Sequence, residues 1–210
     1  TLEQCLPESE TSKVFPDDDP ERQTSTYMMG WVGVQIIFPE SIDDRECNGL
    51  DVRTENWSAE QQYNVIISTP NALTRAFAEP ADRDLKFFFP QAITVHIPFE
   101  PITMPQPNYS WQTALYDSLG FSGPDWETQG FAYNNYLRSS HGTDWFVHTF
   151  IVNDACDADN LFPGYPHHAY SSYYGPRDVR VYSRSLGTDW MISHEFAHMF
   201  GEPDEYVGPC

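Results

Sequence analysis

The residues with the types and spacing to do chemistry lie near the end of the chain, in the run His194-Glu195-Phe196-Ala197-His198-Met199-Phe200-Gly201-Glu202-Pro203-Asp204. Two helical residues four apart are separated by about 400° of rotation and about 6 Å of rise. His194 and His198 therefore leave one face and can reach one metal ion. Glu195 lies about 100° further round the helix, poorly placed to ligate beside His194 but close enough to touch a water on that ion. Gly201 allows φ > 0, so the chain can leave the helix, fold back and present Asp204 to the same ion.

The other face of that helix must pack. Ile192, Phe196 and Met199 fall opposite the histidines, with Phe200 at the edge. Thr188 suits a cap and Asp189 a first-turn acid. The plainer reading of the stretch is an amphipathic helix with two surface histidines and a glycine C-cap.

The motif, HExxHxxGxxD, resembles that of the metzincin clan of zinc metallopeptidases, in which HExxHxxGxxH supplies three ligands and the general base. Asp204 stands where most of the clan has histidine, as in its snapalysin-like branch. The Glu-Pro-Asp-Glu-Tyr run at 202–206 is similar to the Pro-Asp-Glu-Tyr ending of some bacterial secreted members. The resemblance implies Zn²⁺ on His194, His198 and Asp204, Glu195 as general base, and a protein or peptide substrate. It also implies a twisted sheet with a backing helix and the active-site helix beneath. The clan carries a Met-turn downstream of the third ligand, and no methionine stands between Asp204 and Cys210.

Composition narrows the setting. The 210 residues carry 31 acids against 11 bases, a formal charge of −20. That argues against nucleic acid or an anionic membrane as partner and suits a salty or extracellular medium and the binding of hard cations, although for most of the charge the plainer reading, a well-solvated acidic surface, is favoured. Cys5, Cys47, Cys156 and Cys210 include no CxxC pair, so a cysteine zinc site is not expected. Their wide, even set suggests disulfides in an oxidising compartment. Three pairings are open, and Cys5–Cys47 with Cys156–Cys210 is the one expected here. A start at Thr1 without a leader fits a mature secreted form. The longest apolar runs, such as 31–39, are too short to span a bilayer. Asn56-Trp57-Ser58 and Asn108-Tyr109-Ser110 match glycosylation acceptors.

The elements that must position the motif come earlier. Residues 1–26 read as an irregular polar arm and 27–210 as one catalytic domain. Residues 27–38 read as a first strand and 39–51 as a loop. A helix should follow to about Phe77, capped by Asn56 or Ser58 with Asn56 favoured, and kinked or broken at Pro70. Residues 87–99 read as one or two strands interrupted near Pro90, with Ile93, Val95 and Ile97 alternating with Thr94 and His96. Short helices are expected over 111–119 and 128–139, a central strand over 145–152, loop over 153–177 and a short strand over 179–183. The alternation predicts an α/β fold with a twisted, mostly parallel mixed sheet.

Two further clusters stand out. Asp154, Asp157 and Asp159 could supply oxygens to Ca²⁺, although the EF-hand pattern is not met; the plainer reading is a turn capped by its own side chains. His167 and His168 beside Tyr170, Tyr173 and Tyr174 read as loop residues first and as a cleft lining second. The expected function is a secreted zinc endopeptidase. The alternatives are a zinc-stabilised module binding glycan or protein, and a fragment of a longer peptidase.

Overall fold

The computed structural model describes residues 28–41, 57–78, 84–98, 109–153, 168–172, 174–182 and 188–202. Along the chain these form β1 (Gly30–Ser41), α1 (Ala59–Leu73, continued by a π turn over Thr74–Ala78), β2 (Leu85–Phe88) and β3 (Ile93–Ile97). Then come α2 (Ser110–Ser118), α3 (Trp126–His141), β4 (Trp145–Asn153), β5 (Ala169–Ser171), β6 (Arg177–Tyr182) and α4 (Thr188–Met199). No helix among the described residues is long and apolar enough to cross a membrane.

The strands form one sheet in the order β2-β1-β4-β6-β5, with β3 also on β1. Every pairing is parallel except β5 with β6, which is antiparallel. This is the mostly parallel mixed sheet that the alternation of elements predicts. β4 lies mid-sheet and is buried along nearly its whole length, as a strand covered on both faces must be.

β2 and β3 share one side of β1 in two registers. Gly33 faces Phe88 and Ile37 faces Ile93, so residues 34–36 of β1 oppose residues 89–92, one more than themselves. The extra residue is a bulge at Pro90, where a ladder donor is missing. Gln35, buried on β1, answers it by donating its side-chain N–H to the Gln91 carbonyl at 2.8 Å. β1 also runs on through Pro39, which the sequence assigns to a loop. Among the described residues only β3 still pairs with it past Ile37, and proline is tolerated on such an edge.

Helices cover both faces. On one, Trp111, Leu115 and Tyr116 of α2 and Tyr133 and Leu137 of α3 pack on Ile37, Val95, Phe146, Phe150 and Val179. On the other, Ala72 and Leu73 of α1 and Ile192, Phe196, Met199 and Phe200 pack on Val32, Val34, Leu85 and Val147.

Two local expectations need correction. Ser58, not Asn56, caps α1: its hydroxyl accepts from Gln61 N–H at 3.3 Å while Gln61 Oε1 accepts from Ser58 N–H at 2.8 Å. This reciprocal box needs Gln three residues on, and only Ser58 has it. The helix also runs through Pro70 and changes to the wider π turn four residues later instead of breaking there. A third difference is β5, which falls within the expected loop 153–177 and is held by its ladder to β6. The four cysteines, the 1–26 arm, Asn56, Asn108 and the acids Asp154, Asp157 and Asp159 lie outside the described residues.

Candidate metal centre

α4 is fixed by its apolar side. Met191, Ile192, Phe196, Met199 and Phe200 are all buried. Phe196 is the anchor, with its ring 5.8 Å from that of Phe77, 5.7 Å from Phe87 and 5.4 Å from Phe200. Burying that face fixes which way the other points, and there His194 and His198 stand one turn apart with ring centroids 4.6 Å apart.

The helix ends in a Schellman turn. Gly201 takes φ +84°, its N–H donates to the His198 carbonyl at 2.9 Å, and Glu202 N–H donates to the Ala197 carbonyl at 3.2 Å. A Cβ on Gly201 would land on the Tyr174 ring. Tyr174, itself at φ 54°, donates its backbone N–H to the same His198 carbonyl at 3.3 Å. The close approach and the positive φ both require glycine.

That turn has a chemical result. It brings the Glu202 carbonyl 2.6 Å from His198 Nδ1. A carbonyl has no proton to give, so Nδ1 is the donor, and in the neutral ring Nε2 is then the accepting nitrogen. This Nε2 lies 3.2 Å from His194 Nε2. Two nitrogens on one tetrahedral zinc ion, with bonds of about 2.0–2.1 Å, stand about 3.3 Å apart, so the pair fits that ion. A carbonyl on the outer ring nitrogen is also the usual way a ligating histidine is held in orientation.

Glu195 points toward the sheet, where it is buried. Burial pushes its carboxyl up to about 7. Nearby Asp178 adds to the push, while Ser171, His198 and Arg180 oppose it. The Ser171 effect is one of proximity, since its oxygen has no well-formed hydrogen bond. Asp178 and Arg180 alternate on β6 as a buried ion pair, Arg180 Nε to Asp178 Oδ2 at 2.7 Å, and Arg180 Nη2 donates to Thr149 Oγ1 at 2.7 Å.

The structure thus brings together His194 and His198, with Glu195 near enough for His198 to affect its carboxyl. Asp204 lies outside the described residues, and among those residues no three His, Cys, Asp or Glu side chains cluster as metal ligands. Of the loop aromatics, Tyr174 lies against the helix end. Tyr170 is on β5 and receives Gln112 Nε2 at 2.9 Å from α2, on the opposite face of the sheet from α4. Sequence reasoning missed the Asp178–Arg180 pair, although charged residues inside a strand leading to the motif helix are a usable signal. It also missed the Glu202 carbonyl, for which no residue type gives a signal. The chain matches no family model, no curated protein and no solved structure.

Proposed function

We propose that this chain is a secreted zinc-dependent endopeptidase. The observation that carries the reading is the convergence of the two Nε2 atoms, with His198 held in the ligating tautomer by the Glu202 carbonyl. His194 and His198 would hold the ion, with Asp204 as the third ligand that the motif supplies. Zinc, when bound, supplies Lewis acidity and makes water a nucleophile near neutral pH. Glu195 accepts the proton of the attacking water on its carboxylate and delivers it to the departing amine nitrogen as the C–N bond breaks. A carboxyl raised to about 7 by burial is well matched to a proton taken up and returned near neutral pH. The acid-rich composition fits an extracellular setting in which the cysteines pair and the loop acids Asp154, Asp157 and Asp159 take Ca²⁺.

The test combines metal analysis with two variants. Purified protein should carry about one zinc per chain, and Glu195→Gln should keep zinc while losing proteolysis of an unfolded substrate by about 10²–10⁴-fold. Asp204→Ala should weaken zinc binding severely, and Glu205→Ala should leave it within about tenfold. Protein that takes up no zinc on supplementation, or a Glu195→Gln variant of undiminished activity, sinks the reading.

A further inference from the structure

A second charged group is buried on the far face of the sheet and has no part in the metal centre. Arg177 opens β6, is wholly buried, and points toward α2 and α3. Its guanidinium lies 4.1 Å from the Trp126 ring centre, 5.0 Å from Tyr170 and 5.8 Å from Tyr109. Nε donates to Gln112 Oε1 at 3.0 Å, and Nη1 reaches Ser172 Oγ at 3.4 Å. Nη2 is buried and, among the described residues, has no hydrogen-bond partner.

A buried guanidinium normally meets a carboxylate, because an uncompensated charge away from water is strongly unfavourable. Here no carboxylate comes within ion-pair distance among the described residues, in a chain with 31 acids to draw on; Asp178, next along β6, feels the Arg177 charge but gives its Oδ2 to Arg180. Both oxygens that approach Arg177 are neutral. His148 is its neighbour in the β4–β6 register, and burial first, then Arg177 itself, keep that imidazole well below its usual range and so uncharged. The aromatic faces offset part of the charge but accept no directed hydrogen bond comparable to an anion's. What the group lacks is one negative charge at Nη2.

We propose that Arg177 is the floor of a small-anion site that takes a halide ion at Nη2 beneath the Tyr109, Trp126 and Tyr170 rings. The size follows from enclosure: Arg177 is fully covered, which favours the smallest anion, and a monatomic one accepts from several N–H groups without a preferred direction. Access follows from the roof, because all three rings are only half-buried and Arg177 is one layer below the surface. Tyr109, at the head of α2, holds its ring there with φ 49°, a backbone state unusual outside glycine and typical of constrained sites. The anion would tie α2, α3, β5 and β6 together, across the sheet from His194 and His198.

The test compares chloride with gluconate at equal ionic strength, since gluconate is too large to enter. At a chloride concentration ten times its Kd the melting midpoint should rise by about 3–5 °C over gluconate. Gln112→Glu supplies a built-in carboxylate to Arg177 Nε, and its new oxygen can accept from the Tyr170 hydroxyl, which in the wild type accepts from Gln112 Nε2. It should abolish the chloride effect. Crystals of the wild-type protein in bromide should show an anomalous peak beside Nη2, a measurement independent of whether the variant folds. Coincident chloride and gluconate melting curves for the wild-type protein, or no bromide beside Nη2, overturn the proposal.

Discussion

Gly201 does two jobs with one missing methyl group. Its φ of +84° closes the Schellman turn, and its bare Cα lets the Tyr174 ring lie against the helix end. An alanine there must hold an αL backbone, which costs about 1–3 kcal/mol, and must also displace the ring. Gly201→Ala should therefore lower stability by at least that amount in urea unfolding. It should also weaken zinc binding, because the turn sets the Glu202 carbonyl on His198 Nδ1. An unchanged unfolding midpoint would show that the turn adapts and that His198 does not depend on it. A single-residue effect on metal affinity from a position that never touches the metal is what an outer hydrogen bond of this kind produces.

At the level of elements, α1 depends on how it starts. Ser58 and Gln61 satisfy each other's backbone N–H groups, and Gln61 Oε1 also accepts from Asn153 Nδ2 at 3.3 Å, joining the helix start to the end of β4. Ser58→Ala should cost about 1 kcal/mol, read as a lower urea midpoint with no change in slope. A stability within experimental error of wild type would leave the cap without energetic weight. The Ser-x-x-Gln signature of that box was legible in the sequence, as was the alternation Ile93-Thr94-Val95-His96-Ile97, because both are local. The motif helix was legible too, since its apolar face and its histidines follow one period. β5 was not: three residues, Ala169 to Ser171, have no propensity of their own and become a strand only because β6 offers a ladder. Nor was the path of α1 through Pro70, where packing of Leu73 and Phe77 against the α4 side outweighs the lost hydrogen bond.

Across the whole molecule, two buried groups pull the pH dependence of stability in opposite directions. His148 is fully buried, donates from Nδ1 to Asn134 Oδ1 at 2.7 Å and accepts the Tyr116 hydroxyl at Nε2, also at 2.7 Å. Burial holds it well below 6.5 in the folded state. Below about pH 6.5 the unfolded chain gains a proton at this residue that the folded one refuses, so its contribution is present above that pH and is lost on acidification. Glu195 behaves oppositely. Raised to about 7, it binds a proton in the folded state between about 4.5 and 7, and so favours folding as the pH falls through that window. The raw curve of the zinc-free protein can therefore look flat while hiding both. The difference between wild type and His148→Gln isolates one: the wild-type advantage at pH 7.5 should shrink as the pH drops from 6.5 to 5.5. A gap constant over that range would mean that His148 is not held neutral.

The bond from Trp31 N–H to Asp144 Oδ2, at 2.8 Å, spans 113 positions, and the parallel ladder of β1 on β4 begins beside it. On a ribosome adding about 5–20 residues per second, β1 would wait roughly 6–20 s for that neighbour. Throughout that interval its edge offers unpaired backbone and Val32, Val34 and Ile36 to any other chain. The histidines come later still, on a helix that needs the sheet as its seat. A nascent chain would thus carry a long-lived sticky strand before its paired histidines are in place, and if the proposed reading holds, any capacity to cut would arrive only after most of the sheet had closed.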